Sequence, residues 1–211
     1  MKFTSLIMRD AQPLAHFETL YAASDDPWDV RGAWYEQRKR AILLASLGKP
    51  RYRSAFEPGC GNGEMSVALA ERCERLLACD GATSALDAAR RRVPDAATRG
   101  IRFEARRLPA DWPLDDTFDL IVLSELLYYF DVDAIASMLA GAAANLAPDG
   151  ELVLCHYLHD FDDRITPTAT VHDLADALPG LRRSLHHRDE AFVLDVWRPV
   201  APLQGVQGER A

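Results

Sequence analysis

The sequence predicts an α/β fold: an open, mostly parallel seven-stranded sheet with helices on both faces and a C-terminal antiparallel β-hairpin. Short apolar runs alternate with helical patterns from residue 51 to residue 178. The runs are apolar throughout, which is typical of strands covered on both faces. The last two strand-like runs are separated only by Asp189 and Glu190, too few residues for a parallel crossover, so they predict a hairpin.

The elements follow one another in a regular order. The first 50 residues are helical in pattern, and their main helix is predicted over 32–47, ending before Gly48 and Pro50. Thr83 or Ser84 is expected to cap the second core helix. Core strands are predicted at 53–57, 75–80, 101–105, 118–126 and 151–158, helices at 64–73, 84–93, 132–146 and 171–178, and hairpin strands at 181–188 and 191–198.

These elements predict a single domain over residues 1–200. Residues 1–50 would form a helical lid and residues 51–200 the α/β core, while residues 201–211 read as a flexible tail. The chain has 211 residues, of which 48% are hydrophobic, and this is enough for one domain with a full core.

Charge and hydropathy argue against two classes of partner. The net charge of −8 argues against nucleic acid, because the arginine clusters are surrounded by acids and form no basic footprint. No apolar window is long enough to cross a bilayer, and the opening MKFTSLIMRD has only a short apolar patch, so the cytoplasm is the predicted location. Nothing in the sequence predicts the oligomeric state.

The four cysteines predict neither a metal site nor disulfides. None of them forms a C-x-x-C pair, and only Cys155 has a histidine next to it in the sequence. They are interpreted as small buried side chains of a reduced protein.

The stretch FEPGCGNGE, Phe56 to Glu64, is the most informative part of the sequence. It places Gly59, Gly61 and Gly63 between the first core strand and the first core helix. In open α/β sheets ligands bind beyond the carboxyl ends of the strands, where the strand order reverses. Bare backbone permits close approach there, and the helix start offers free N–H groups. The glycines therefore predict a binding site for a small molecule.

The acidic residues around the glycines indicate which small molecule would bind there. The dinucleotide fingerprint G-x-G-x-x-G is incomplete, because Glu64 stands at its sixth position and would oppose a pyrophosphate. Glu57, at the end of the first strand, suits a cationic amine, and Asp80, at the end of the second, suits the hydroxyls of a ribose. An amine, a ribose and no pyrophosphate together describe S-adenosylmethionine.

Four motifs carry a family resemblance. FEPGCGNGE, LLACD, FDLIVLSELLYYF and LAPDGELVL occur in the order typical of class I S-adenosylmethionine-dependent methyltransferases, over roughly residues 54–157. The chain resembles that family, which implies a Rossmann-like fold. Residues 1–50, the helical preface, contain LYAASDDPWDVRGAWYEQRKRA. Together with LSELLYYF, this stretch resembles a narrower group, the nodulation protein S type, which N-methylates a sugar amine of a chitooligosaccharide.

The resemblance implies most of the cofactor contacts. Where the family usually has an acid that reads adenine, this chain has Arg107, so backbone groups near Arg106 to Leu108 together with packing, or Asp111, are expected to take that role. Ser124 and Glu125 end the fourth strand, where the family places cofactor and substrate contacts. The full set of expected cofactor contacts is Tyr35, Arg38, Glu57, Gly59, Cys60, Gly61, Asp80, Gly81, Arg107, Leu108, Ser124 and Glu125.

Methyl transfer to nitrogen or oxygen requires alignment of the acceptor and removal of a proton. The candidate catalytic residues are Glu125 and His159, with Tyr128 and Tyr129 as orienting groups. His156 is a further possible base, although its place in a buried strand favours a core histidine. The predicted substrate is a small molecule or an oligosaccharide, such as an amino sugar or glycan.

Two other functions remain open at this point. One is a non-catalytic module that binds S-adenosylmethionine. The other is a nicotinamide oxidoreductase, for which Tyr35 and Lys39 form a Y-x-x-x-K pair. That pair precedes the glycine loop, whereas short-chain dehydrogenases have it well after the loop, so this alternative is the weaker one.

Overall fold

The computed structural model describes residues 11–200, so the predicted tail at 201–211 lies outside the described residues. Seven strands form one sheet. They are β1 (Tyr52–Pro58), β2 (Cys73–Asp80), β3 (Ile101–Ala105), β4 (Phe118–Ser124), β5 (Leu146–Tyr157), β6 (Leu181–Arg188) and β7 (Phe192–Pro199). The described helices are α1 (Ala11–Ala23), α2 (Trp34–Ser46), α3 (Glu64–Ala70), α4 (Thr83–Arg92), α5 (Val132–Asn145) and α6 (Thr168–Asp176), with a 3₁₀ turn at Leu127–Tyr129.

The strand order is β3-β2-β1-β4-β5-β7-β6, which confirms the predicted fold class. β1 to β5 pair in parallel, and β7 is antiparallel to both of its neighbours, β5 and β6. The chain winds outward from β1 to β3 and then returns to β4 on the other side of β1. The strand order reverses between β1 and β4, and open α/β sheets bind ligands beyond the carboxyl ends of the strands at such a reversal.

The sheet is covered on both faces by apolar side chains. On one face Leu43 of α2, Leu69 of α3 and Leu86 of α4 pack in one buried cluster. On the other face Met138 of α5 and Val171 of α6 belong to a second cluster. This double coverage explains why the central strands are apolar at every position instead of at alternate ones. Among the described residues, no helix is long and apolar enough to cross a membrane.

Several element boundaries differ from the prediction, such as the start of α6 at Thr168 instead of residue 171, and two of the differences have a clear cause. The first core helix ends at Ala70 instead of residue 73, because Arg72 N–H bonds back to Leu69 O and Arg72 O accepts the Tyr52 N–H that opens the β1–β2 ladder. β5 begins at Leu146, five residues earlier than expected. Its pairing with β4 shifts register between Phe118 and Leu120, which accommodates Pro148 and Gly150 within the strand.

The start of α4 is capped from outside its own segment. Neither Thr83 nor Ser84 provides the expected side-chain cap. Instead Glu18 of α1 accepts hydrogen bonds from Thr83 N at 2.5 Å and from Ser84 N at 3.0 Å, and also from the Ser84 hydroxyl at 2.6 Å. The hydrogen bond from the Ser84 hydroxyl lowers the pKa of Glu18 most, and burial opposes this shift. A carboxylate at a helix N-terminus also complements the helix dipole, so this contact fixes α1 to the core.

We expect Glu18→Ala to lower the free energy of unfolding by about 1 kcal/mol, the usual cost of a lost helix cap. Urea denaturation measures this loss, with Thr19→Ala, an exposed neighbour that bonds only within α1, as the control. Because the folded-state pKa of Glu18 is lowered, its contribution is full above about pH 5 and is lost as the pH falls through that lowered pKa. Equal stability of Glu18→Ala and wild type at pH 7 would contradict the cap.

Candidate active site

The glycine loop joins β1 to α3 in a left-handed conformation. Gly59, Gly61 and Gly63 have φ values of +72°, +53° and +78°, which residues with side chains rarely adopt. A Cβ atom at Gly59 would lie 2.8 Å from Leu126 Cδ1, and one at Gly61 would collide with the Tyr21 hydroxyl. The loop therefore requires glycine both for its backbone conformation and for the space around it.

Glu57 is buried at the end of β1. Its Oε2 accepts a 2.5 Å hydrogen bond from the Ser66 hydroxyl in α3. Burial raises the pKa of Glu57 to about 8; the hydrogen bond from Ser66 opposes this shift and the charge of Asp80 adds to it. A buried carboxyl group of this kind is prepared to ionise when a cation binds beside it.

Asp80 ends β2 and holds the glycine loop from the neighbouring strand. Its Oδ2 accepts from Gly61 N at 3.0 Å and its Oδ1 from Ala82 N at 2.9 Å. Burial raises the pKa of Asp80, although these amide hydrogen bonds oppose the shift. Each carboxylate oxygen keeps a second lone pair for a ligand hydroxyl. A Cβ atom at the next residue, Gly81, would lie 3.0 Å from Leu14 of α1, so space there is tight as well.

The loop after β3 brings Arg107 and Asp111 together. The Arg107 side chain is exposed, whereas its backbone N–H donates a 2.8 Å hydrogen bond to Asp111 Oδ2. Leu108 packs against the core cluster that includes Trp112. The carboxylate that the sequence lacks at position 107 is therefore present at Asp111, on the amide of Arg107. The reading of adenine, by Asp111 or by backbone groups near Arg106 to Leu108, stays a prediction.

Glu125 is the centre of a hydrogen-bonded cluster at the end of β4. Its Oε1 accepts from Lys39 Nζ at 2.6 Å and from the Tyr35 hydroxyl at 3.4 Å. Its Oε2 accepts from the Tyr128 hydroxyl and from Tyr157 N at 3.0 Å. These four donors occupy the lone pairs of the carboxylate, so Glu125 has no lone pair left with which to take a proton from an acceptor.

The backbone of Glu125 is strained, because its φ of +53° lies in the left-handed region. Such a conformation costs on the order of 1–3 kcal/mol in a residue other than glycine and persists only where the surroundings enforce it. Here the enforcing contacts are the bonds to the carboxylate together with the backbone bond from Glu125 N to Cys155 O at 2.9 Å.

Lys39 carries the positive charge of this cluster. Its side chain is 3% exposed and lies 2.9 Å from Glu36 as well as 2.6 Å from Glu125. Burial alone would lower the pKa of Lys39, but the two carboxylates outweigh burial and raise it. Burial, followed by the charge of Glu125, raises the pKa of Tyr35 and of Tyr128. The cluster thus has one permanent cation, two carboxylates and neutral tyrosines.

Aromatic side chains of the preface pack near the loops at the carboxyl edge of the sheet. The ring of Phe17 in α1 lies 4.8 Å from that of Tyr129, and Tyr21 lies 5.6 Å from Trp28. His16 of the same helix is 3.1 Å from Asp163 in the loop after β5. Helix α1 therefore bridges the glycine loop, the 3₁₀ turn and the loop after β5.

The remaining predicted residues have varied surroundings. Arg38 makes a 2.6 Å ion pair with Asp189 in the hairpin turn, a partner that the sequence did not suggest, so its contact with a cofactor stays a prediction. His159 is exposed beside the ring of Tyr157. Ser124 is half-buried at the end of β4. Cys60 is buried, and burial raises the pKa of its thiol well above the usual value, so the thiol stays protonated.

Sequence reasoning missed Tyr21, Lys39 and the Tyr157 amide. Only Lys39 left a usable signal: a lysine three residues after Glu36 and four after Tyr35 lies on the same helix face as both. The Y-x-x-x-K pair that was considered for a dehydrogenase is instead a pair of donors to Glu125. Tyr21 and the Tyr157 amide depend on tertiary contacts that no local pattern shows.

Comparison with known proteins identifies related sequences. A family model described as nodulation protein S (NodS) matches residues 17–161. Nodulation protein S of Rhizobium tropici is 34% identical over 134 residues, which cover 62% of this chain. The same match covers 55% of that protein, so this chain spans about half the length of that relative.

Solved structures show the same fold. A candidate methyltransferase from Pseudomonas syringae is 42% identical, with a TM-score of 0.68 and coverage of 78% of this chain and 99% of the other. The N-methyltransferase NodS from Bradyrhizobium japonicum WM9, in complex with S-adenosyl-L-homocysteine, has a TM-score of 0.77 at 24% identity, covering 88% of this chain and 97% of the other. At that identity the second similarity concerns the fold.

We expect Lys39→Met to lower the free energy of unfolding by about 2–4 kcal/mol, because it leaves two carboxylates without their cation. Lys49→Met is the matched control, since Lys49 pairs with the exposed Asp149 and should cost at most about 1 kcal/mol. In a double-mutant cycle by urea denaturation, adding Glu125→Gln should recover part of the loss. Additive effects of the two substitutions would contradict the proposed coupling.

Proposed function

This chain belongs to the nodulation protein S family, and from that premise we propose that it binds S-adenosylmethionine at the glycine loop and transfers its methyl group to the nitrogen of an amine-bearing small molecule. The observation that carries the proposal is the arrangement of the left-handed glycine loop between two acids on adjacent strands, the buried Glu57 and the half-buried Asp80.

The residues present fit this cofactor. Asp80 accepts one amide hydrogen bond on each oxygen, from Gly61 N of the loop and from Ala82 N, and leaves the other lone pairs free for ribose hydroxyls. The buried carboxyl group of Glu57 matches a methionine ammonium, and the Arg107–Asp111 pair lies where adenine would be expected. Glu64 salt-bridges with Arg40 and Arg92, so the residue that breaks the dinucleotide fingerprint is held by basic side chains.

S-adenosylmethionine supplies a methyl group that is already activated by a sulfonium centre. The contribution of this chain is therefore alignment, which in favourable cases lowers a barrier by about 7–11 kcal/mol. The Glu125 cluster provides rigid positions for it: Tyr35 from α2, Tyr128 from the 3₁₀ turn and the Tyr157 amide from β5 all bond one carboxylate. These three groups, which would line the acceptor side of the site, are thereby fixed relative to one another.

Charge favours a nitrogen acceptor. Glu36 and Glu125 bring two carboxylates against the single charge of Lys39. Burial raises the pKa of Glu36 while Lys39 and Arg40 lower it, and with both carboxylates ionised the cluster carries a surplus negative charge. A cationic amine is attracted by that surplus, whereas an anionic acceptor is repelled. The solved relative from Bradyrhizobium japonicum is itself described as an N-methyltransferase. The finer proposal is an amino sugar or a glycan bearing a free amine.

An amine must lose its proton before it attacks the methyl group. Glu125 is unsuited to accept it, because its lone pairs are occupied. His159, exposed beside the Tyr157 ring, is the remaining catalytic candidate and would accept the proton at the solvent side of the site. Glu125 then serves as a positioning residue.

A thermal-shift assay tests the cofactor. S-adenosyl-L-homocysteine at 100 times its dissociation constant should stabilise the folded protein by about 2.7 kcal/mol, whereas NAD should have no effect. Stabilisation by NAD alone would favour the oxidoreductase alternative.

Binding of S-adenosyl-L-homocysteine should release protons. With a pKa of about 8, Glu57 is mostly protonated at pH 7. A bound ammonium favours its ionised form, so about 0.9 proton should leave per ligand at pH 7, and the affinity should fall by up to about tenfold per pH unit below 8. Calorimetry in two buffers of different ionisation enthalpy measures this release. Glu57→Gln should abolish it, with the exposed Glu74→Gln as the control; a buffer-independent heat in wild type would refute the assignment.

An acceptor panel tests catalysis and the role of His159. Free amino sugars, partly de-acetylated chitin oligomers, peptides with a free N-terminus and simple alcohols are offered with labelled S-adenosylmethionine, and methylation of amines alone is expected. On the best acceptor His159→Ala should lower kcat by about 100-fold, in the lower range for general-base catalysis, while ligand affinity stays unchanged. His187→Ala is the control. Binding of S-adenosyl-L-homocysteine without methylation of any acceptor would favour the non-catalytic alternative.

A further inference from the structure

A buried chain of side chains runs from the hairpin to the 3₁₀ turn. Asp195 Oδ2 in β7 lies 2.7 Å from His172 Nδ1 in α6. His172 Nε2 lies 3.1 Å from His156 Nδ1 in β5, and His156 Nε2 accepts a 3.3 Å hydrogen bond from Leu127 N. His156 and Asp195 are 0% exposed and His172 is 6% exposed.

The direction of every hydrogen bond in this chain is determined. Leu127 N–H can only donate, so His156 Nε2 must keep its lone pair and the proton of the neutral ring must be on Nδ1. That proton points at His172 Nε2, which must accept, so His172 also carries its proton on Nδ1 and donates it to Asp195. Both imidazoles are thereby neutral and in the Nδ1–H tautomer.

The surroundings of the chain agree with neutral imidazoles. Burial, together with His172, Lys39 and Arg164, lowers the pKa of His156 well below its usual value. At the other end, Asp195 Oδ1 faces His186 at 2.7 Å and Arg183 at 3.5 Å. The negative charge is therefore held at the surface end by basic groups, while the end at the turn carries no charge.

The turn that receives this chain carries active-site contacts. Leu126 packs against Gly59 of the glycine loop, and the Tyr128 hydroxyl donates to Glu125. The His156 ring also meets the ring of Tyr128 edge-on, with 5.2 Å between centroids. The turn follows directly after the strained backbone of Glu125, so an anchor at the Leu127 amide determines where Tyr128 and Leu126 lie.

We propose that Asp195, His172 and His156 form a positioning chain that holds the Leu127 amide and thereby sets Tyr128 against Glu125 for methyl transfer. The inference rests on the proposed function, because its kinetic consequence presupposes the reaction. It assigns His156 the part of a neutral hydrogen-bond acceptor and excludes it as the base.

Nuclear magnetic resonance of the full chain tests the hydrogen-bond directions without any substrate. With ¹⁵N-labelled histidine, His156 and His172 should both show the Nδ1–H tautomer, and His156 should not titrate between pH 6 and pH 8.5. Exposed His159 provides the internal reference for a ring in contact with water. An Nε2–H tautomer at either buried position, or titration of His156 in this range, would overturn the proposal whatever the activity of the enzyme.

Two substitutions at one position test the positioning role. His156→Phe keeps a ring of similar size but removes the acceptor, whereas His156→Gln restores an oxygen within reach of Leu127 N–H. We expect kcat to fall about 10- to 100-fold in His156→Phe, because Tyr128 and the groups around it would no longer be aligned with the reacting atoms. The KM for S-adenosylmethionine should stay within threefold of wild type. His156→Gln should recover most of the lost kcat. Met138→Ala, at a buried position of α5, is the control for a general loss of stability.

The outcomes separate this inference from the proposed function. If wild type methylates an acceptor and both variants keep its kcat, the positioning chain is refuted and the function stands. Equal loss of kcat in His156→Phe, His156→Gln and Met138→Ala refutes it too, because a general packing role explains that result. If wild type methylates nothing, the proposed function fails, and hydrogen exchange then tests the anchor by itself. Faster exchange of the Leu127 amide in His156→Phe, restored to the wild-type rate in His156→Gln, would support the anchor. Unchanged exchange in His156→Phe would overturn it.

Discussion

The carboxylate of Glu125 is the contact on which the rest of the site depends. It draws donors from α2, from the 3₁₀ turn and from β5 onto one group at the end of β4. The left-handed backbone at this residue is the cost of directing one side chain to all three. A single strained residue thereby ties the helical preface to the carboxyl edge of the sheet, where the strand order reverses and a ligand would bind.

The glycine loop depends on the same arrangement from the other side. Leu126, directly after Glu125, occupies the space that a side chain at Gly59 would need, and Tyr21 of α1 does the same at Gly61. The loop is thus shaped by the turn and the preface as much as by its own glycines. Glu18 completes the frame by fixing α1 to the start of α4. The preface and the core therefore make a joint binding site.

Sequence patterns predicted the features that depend on interactions within a short segment of the chain. The mostly parallel sheet and the glycine loop follow from apolar runs and the conformational freedom of glycine, so the ends of the strands at Glu57 and Asp80 and the loop at Gly59 could be predicted. The cap from Glu18, the burial of Lys39 and the histidine chain could not, because each joins segments far apart in sequence. A buried lysine and an exposed lysine look alike in the sequence. Lys39 is distinguished only in the structure, by its two carboxylate partners.

The division of work between the two acids at the strand ends follows from their surroundings. Glu57 has one hydrogen-bond donor, Ser66, and a raised pKa, so it can exchange a proton for a bound cation. Glu125 has four donors, one of them the ammonium of Lys39, so it is held as a fixed charge that aligns other groups. Methyl transfer from a sulfonium requires this pairing more than a strong base, because the leaving group is already neutral when it departs. The buried charge of Glu125 therefore serves to position other groups, and in the proposed reaction the proton of an amine acceptor would leave toward the exposed His159.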